Sequence, residues 1–151
     1  MYDMVSLDFG RNFGLALWNK GVCQRVLTLT VGNNIGIGML RIYRTSREVL
    51  YTYRPDVVVE KPGRDWAIQW VQYTMVKELS EELGCKLYTY QTKSIKKQVS
   101  GKGNADKEDM LNAIDTLKKE YCVSAIDPSN EHEIDSIACG ICHIMKTCGG
   151  I

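Results

Sequence analysis

The sequence lacks any long apolar run. Its apolar stretches are short, as where Val57 to Val59 lie between the charged Asp56 and Glu60, and none approaches the ~20 residues of a membrane-spanning helix. The first residues also lack the basic region and apolar segment of a secretory signal. These absences predict a soluble protein of the cytoplasm, either of a bacterium or of an infected host, with no membrane partner.

The sequence also lacks an excess of charge of one sign. It contains 19 Lys and Arg residues and 18 Asp and Glu residues, which gives a net charge of +1. With 44% hydrophobic and 25% charged residues, the composition is that of an ordinary globular protein, which excludes disordered, collagen-like and coiled-coil chains. A length of 151 residues leaves room for one sizeable core. We therefore expect a single domain over residues 1–151.

Regular cysteine spacing is absent as well. The six cysteines are irregularly placed, and without a secretory signal we expect them to be reduced and mostly buried. Cys139-Gly-Ile-Cys142-His143 has the letters of a haem-attachment motif, but it falls inside a predicted helix and follows no export signal, so no haem is predicted. A zinc site that adds Cys148 to these residues lacks a second pair and is a minor alternative.

The order of predicted elements indicates an α/β fold. Alternating apolar residues and glycine turns predict a three-stranded meander over residues 4–31. Further strands are predicted over 56–60 and 86–90, and helices over 34–53, 65–83, 92–100, 105–121 and 131–146. Asp65 is the expected cap of the second helix. Three antiparallel strands followed by βαβ units predict a mixed five-stranded sheet flanked by helices.

Several acidic residues lie at the ends of predicted strands or at the start of the last helix, where an α/β fold can form a functional site. Asp8 and Glu60 each end a predicted buried strand, and Asp135 follows His132 by three residues, on the same face of the last helix. Each acid alone has a structural explanation in a turn, an ion pair or a helix N-terminus. Together they suggest a shared cation, because an unpaired buried carboxylate is costly. Carboxylates with one imidazole suit Mg²⁺ or Mn²⁺ rather than zinc.

Four segments carry a family resemblance that covers residues 4–145. The segment Leu7 to Ala16 resembles the first motif of the ribonuclease H-like superfamily, and Val57 to Glu60 resembles its second acid. The segment Ile95 to Lys107, with its Gly-Lys-Gly-Asn-Ala-Asp-Lys end, closely resembles the signature of the RuvC family of Holliday-junction resolvases. His132 to Ala138 resembles the C-terminal acidic motif of that family, and the short chain favours a phage or viral member.

The resemblance implies a catalytic set that holds two Mg²⁺ ions per active site, with Mn²⁺ as a substitute. Its metal ligands are Asp8, Glu60, His132 and Asp135, and Glu133 is an alternative to His132. Lys107 joins the catalytic residues, because an ammonium can stabilise the charge that grows on a phosphodiester during attack.

A basic segment is the expected DNA-binding surface. Lys93 to Lys107 holds five lysines and one acid in an otherwise balanced chain, although a solvated charged face is the alternative explanation. Trp66 is expected to stack on junction bases. The expected DNA-binding residues are Lys96, Lys97, Lys102, Lys107, Arg11, Arg64 and Trp66.

The function implied by the resemblance is that of a crossover junction endodeoxyribonuclease. It would resolve four-way junctions by paired symmetric nicks through metal-activated water, leaving 5′-phosphate and 3′-hydroxyl ends. Such paired nicks imply a homodimer, for which the second helix, with Trp70, Met75 and Leu79, offers an interface. The alternatives are an RNA-processing nuclease of the related pre-16S ribosomal RNA type and a junction-binding protein without catalysis.

Overall fold

The computed structural model describes residues 1–64 and 66–148. Its strands are β1 (Met4–Asp8), β2 (Asn12–Asn19), β3 (Val22–Thr30), β4 (Asp56–Glu60) and β5 (Leu87–Tyr90). Its helices are α1 (Ile35–Tyr53), α2 (Ala67–Leu83), α3 (Thr92–Ser100), α4 (Lys107–Tyr121) and α5 (Glu131–Cys148). Asp65, the expected cap of α2, lies outside the described residues.

The five strands form one mixed sheet in the order β3-β2-β1-β4-β5. β1 pairs antiparallel with β2 and parallel with β4, and β4 pairs parallel with β5. The antiparallel meander and the two parallel crossovers confirm the fold predicted from the sequence. Because β1 and β4 are parallel neighbours, Asp8 and Glu60 both lie at the carboxyl edge of the sheet.

Helices cover both faces of the sheet and divide the core into two layers. On one face α1 and α2 pack over Val57 and Val59 of β4. On the other face α3, α4 and α5 pack over Val58 and Trp18. The run of valines in β4 is therefore buried on both sides, as expected for a central parallel strand.

Helix α5 is fixed on β1 by a buried polar network and a close contact. Ser6 Oγ donates a hydrogen bond of 2.6 Å to the carbonyl oxygen of Ser136, and Trp18 Nε1 donates one of 2.8 Å to Ser6 Oγ. Gly140 lies so close to the Trp18 indole that a side chain there would overlap the ring. Since these contacts fix α5 along β1, the first turn of α5 lies beside the end of that strand.

The buried face of α2 differs from the expected one. Trp70 and Val71 are 36% and 56% exposed, whereas Leu79 is only 2% exposed and packs in the core. Assigning Leu79 to a subunit interface was therefore wrong, because its side chain is covered by the chain itself. Gln72 points inward and is buried, although the apolar periodicity of an amphipathic helix predicts a hydrophobic residue on the buried face.

Candidate active site

A cleft of about 600 Å³ opens at the carboxyl edge of the sheet. Asp8 ends β1 on its floor, Glu60 ends β4 beside it, and the first turn of α5 adds His132 and Asp135. The four residues expected to form the catalytic set therefore line one cleft. They come from segments up to 127 positions apart along the chain, from Asp8 to Asp135.

Asp8 is the most enclosed of the acids, with 13% of its side chain exposed. Its Oδ2 lies 3.2 Å from His132 Nδ1, within hydrogen-bond distance. This approach depends on Gly14, the residue paired with Asp8 on β2. A Cβ on Gly14 would overlap the carbonyl oxygen of His132 and come within 3.1 Å of its carbonyl carbon.

Burial and nearby negative charges raise the pKa of two carboxyls in the cleft. Burial and the nearby charges of Asp135 and Glu60 raise the pKa of Asp8 to about 9. Burial followed by the charges of Glu60 and Glu131 raises the pKa of Asp135 to about 6, although that side chain opens to the solvent of the cleft. The site thus carries more negative charge than the protein itself neutralises.

A divalent cation would relieve this repulsion. Among residues 1–64 and 66–148, no Lys or Arg forms an ion pair with Asp8, Glu60 or Asp135. In the same part of the chain, no three His, Cys, Asp or Glu side chains form a ready-made metal cluster, so the ligands would have to draw together on binding. The donor set of carboxylate oxygens and one imidazole nitrogen fits Mg²⁺ or Mn²⁺.

Gln72 is a residue of this site that sequence patterning did not reveal. Its side chain is fully buried, and its amide forms two hydrogen bonds with Gly10, accepting from the backbone nitrogen at 2.7 Å and donating to the carbonyl oxygen at 2.9 Å. These bonds tie α2 to the turn that follows Asp8. Only the polarity of Gln72 within an apolar helix face signals such a role in the sequence.

We expect Gln72→Leu to destabilise the protein, because both backbone groups of Gly10 lose their partner in a partly buried turn. The expected loss in free energy of unfolding is about 2–3 kcal/mol, measured by urea denaturation. Gln69→Leu is the matched control one turn earlier, since the Gln69 amide makes a single 3.2 Å bond to the Phe9 carbonyl. Equal losses for the two variants would contradict the special role of Gln72.

The basic residues expected to contact DNA divide into two groups. Arg11, Lys96, Lys107 and the half-exposed Trp66 line the cleft together with the acids. The structure places Lys97, Lys102 and Arg64 outside the set of residues that line it. Lys102 lies 3.5 Å from Asp109 on α4.

Two glutamates flank His132 at the start of α5 and point in different directions. Glu131 lies in the cleft, and its Oε2 is 2.7 Å from Lys107 Nζ. Glu133, the alternative ligand expected from the sequence, accepts a 2.8 Å hydrogen bond from the Ser129 backbone nitrogen and does not line the cleft. Both glutamates belong to the first turn, so helical spacing alone does not separate their roles.

Two of the three cysteines of α5 pack in the core. Cys139 and Cys142 are buried, and His143 shares a 2.7 Å hydrogen bond with the Tyr90 hydroxyl. Cys148 is exposed at the end of the described helix.

No helix within residues 1–64 and 66–148 has the length and apolar character needed to cross a bilayer.

A mixed sheet of this order, with acids at its carboxyl edge and α5 crossing β1, has the ribonuclease H-like fold. Comparison with known proteins narrows the likeness to RuvC. The chain is 24% identical over 128 residues to the crossover junction endodeoxyribonuclease RuvC of Wolbachia sp. subsp. Brugia malayi (strain TRS), an alignment that covers 78% of this chain and 74% of that protein. No protein-family model matches the sequence.

Two solved structures share the fold over nearly the whole chain. Thermus thermophilus RuvC in complex with its Holliday junction substrate superposes with a TM-score of 0.73 at 20% identity, covering 99% of this chain and 97% of that one. The fowlpox virus Holliday junction resolvase gives a TM-score of 0.62 at 18% identity, covering 98% and 99%. The resemblance to RuvC drawn from the sequence is thereby confirmed, and the assignment to a phage or virus stays a prediction.

Proposed function

We propose that this protein is a metal-dependent endonuclease that resolves four-way DNA junctions. The observation that carries the proposal is one cleft lined by five acidic residues, His132, three lysines and Arg11, on the fold of a RuvC protein solved with a Holliday junction. A nuclease of this kind needs both a cation site and positive charge beside it. The cleft brings the two together within reach of one phosphodiester.

The metal ligands in this proposal are Asp8, Glu60, His132 and Asp135. When bound, Mg²⁺ or Mn²⁺ supplies Lewis acidity that activates water and stabilises the leaving 3′-oxygen, so that the cut leaves 5′-phosphate and 3′-hydroxyl ends. Asp8 Oδ2 and His132 Nδ1 form a hydrogen bond, which orients the imidazole. The Asp8 side chain is mostly buried at the edge of the sheet.

The lysines of the cleft act on the DNA rather than on the metal. Lys96 on α3, Lys107 at the start of α4 and Arg11 in the β1–β2 turn all line the cleft. In this arrangement Lys107 stabilises the negative charge of the attacked phosphate. Arg11 and Lys96 bind the neighbouring phosphates of the DNA backbone. Trp66 provides a half-exposed aromatic face at the rim for a splayed base.

A homodimer follows from the proposed reaction, because two symmetric nicks require two active sites in opposed orientation. Apolar side chains that suit such an interface are exposed on the two helices of one face of the sheet. They are Ile37 and Leu40 on α1, at 59% and 45% exposed, and Trp70 and Val71 on α2. We assign the dimer contact to this face of α1 and α2.

The proposal is tested by incubating the purified protein with a labelled four-way junction and with a linear duplex of matched sequence, in Mg²⁺, Mn²⁺ or chelator. Nicks on the junction that disappear in chelator support the endonuclease. Tight junction binding without nicks in either metal would identify a binding protein without catalysis. Cutting of structured RNA in preference to the junction would favour the ribosomal RNA-processing class.

We expect junction binding to weaken with salt in proportion to the lysines that touch phosphate. Lys96→Met and Lys107→Met should each reduce the slope of log affinity against log salt by about 0.9, the contribution of one phosphate contact. Lys119→Met is the control, because Lys119 is exposed near the far end of α4. Fluorescence anisotropy in chelator over 50–200 mM salt, a range of roughly fourfold, measures the slopes. Unchanged slopes in the two cleft variants would show that neither Lys96 nor Lys107 contacts a DNA phosphate.

A further inference from the structure

In the absence of DNA, Lys107 is held by an acid of the same cleft. Its Nζ lies 2.7 Å from Glu131 Oε2, and this ion pair joins the first residue of α4 to the first residue of α5. The hydrogen bond raises the pKa of the Lys107 ammonium and lowers the pKa of the Glu131 carboxyl.

The Glu131 carboxylate also lies near the catalytic histidine. Its Oε1 is 3.8 Å from His132 Nε2, while its Oε2 contacts Lys107. The Glu131 carboxylate, placed between Lys107 and His132, resembles a phosphate in its negative charge and in the spacing of its two oxygens. The carboxylate thus takes the position beside Lys107 that a DNA phosphate needs.

We propose that Glu131 is a positioning residue that holds Lys107 in the free protein and competes with DNA phosphate for this lysine. The inference rests on the proposed function, because it concerns the lysine assigned to the phosphate. Binding of DNA then exchanges one anion for another at Nζ, and the displaced carboxylate swings toward solvent, to which it is already half exposed. The competition lowers the affinity for DNA without altering the reaction of bound DNA.

The expected size of the effect is modest, because the pair is exposed to solvent. Exposed ion pairs of this kind change equilibria by about two- to fivefold. We therefore expect Glu131→Gln to bind a four-way junction about two- to fivefold more tightly than the native protein. With Mg²⁺, KM should fall by the same factor, with kcat changing by less than about twofold.

A double-mutant cycle separates this pairwise competition from a general loss of negative charge. Junction affinity is measured in chelator for the native protein, Glu131→Gln, Lys107→Met and the double variant. Glu131→Gln should tighten binding only where Lys107 is present. Glu133→Gln is the matched control, because it removes the same charge two residues away, where the side chain caps Ser129. Thermal denaturation of each variant verifies that it is folded.

Several results would overturn the inference. Tighter binding that persists with Lys107→Met, or that Glu133→Gln reproduces, would mean that charge alone matters. A fall in kcat with unchanged KM would place the carboxylate among the reacting groups instead. Failure of the native protein to bind a junction at all would count against the proposed function, whereas native binding that Glu131→Gln leaves unchanged would count against the role of Glu131 alone.

Discussion

Replacing Asp8 with asparagine is expected to abolish junction cutting while leaving junction binding within a few-fold of the native affinity. Asp8 is the most enclosed acid of the cleft and contacts His132, so it is the ligand that a bound cation depends on most. Loss of metal-assisted chemistry should lower the cleavage rate by at least about 1,000-fold, because Lewis-acid stabilisation supplies several kcal/mol. Single-turnover cleavage with excess protein measures this rate directly.

The same variant should also be more heat-stable in chelator. Asn is neutral and of similar size, so it removes the cost of burying a carboxylate, to which the charges of Asp135 and Glu60 add. We expect a rise in Tm of roughly 2–4 °C, which corresponds to about 1 kcal/mol for a chain of this size. Mg²⁺ should raise the Tm of the native protein and not that of Asp8→Asn. Native cutting rates in the variant would exclude Asp8 from the site.

Gly14→Ala should disable the site without replacing any proposed ligand. Its added methyl group would overlap the backbone carbonyl of His132, and a backbone atom, unlike a flexible side chain, yields only if the whole first turn of α5 moves. That movement would separate His132 and Asp135 from Asp8 and Glu60. A displacement of about 1 Å can cost ~100-fold in rate, so we expect a loss of this order in single-turnover cleavage.

Gly36→Ala is the matched control for this prediction. A Cβ on Gly36, in the first turn of α1, would meet only Asn34 Oδ1 at 3.6 Å, which is an ordinary contact. We expect it to keep native cutting, with equal or slightly higher stability, because Ala is the better helix former. If Gly14→Ala cut junctions at the native rate, the close approach of α5 to β2 would be contradicted.

The sequence predicted the fold well where local signals are strong. β4 begins and ends as expected, because its sequence neighbours stop a strand. Pro55 directly precedes the strand, and Lys61 and Pro62 directly follow it. The predicted limits of α3 were likewise confirmed, since a glycine that ends a helix is a local signal. The sheet order then follows from short connections and parallel crossovers.

Side-chain directions and long-range neighbours were harder to predict. The sequence offered Trp70 and Leu79 alike for a subunit interface, but the fold buries Leu79 and leaves Trp70 partly exposed. Gln72 instead points inward, where it bonds to Gly10. The contact between Asp8 and His132 joins residues 124 positions apart, and spacing within either segment does not reveal it. The pairing of Lys107 with Glu131 depends in the same way on how α4 and α5 pack.

We predict that two such sites cut a junction together, and a supercoiled plasmid that carries an extruded cruciform shows whether they do so. Two nicks made during one binding event convert the circle to a linear molecule, whereas a single nick relaxes the plasmid, removes the cruciform and leaves an open circle. We predict linear product from the earliest times, in Mg²⁺ but not in chelator, and none with Asp8→Asn. Open circles alone, or cutting of a plasmid without the inverted repeat, would contradict the account.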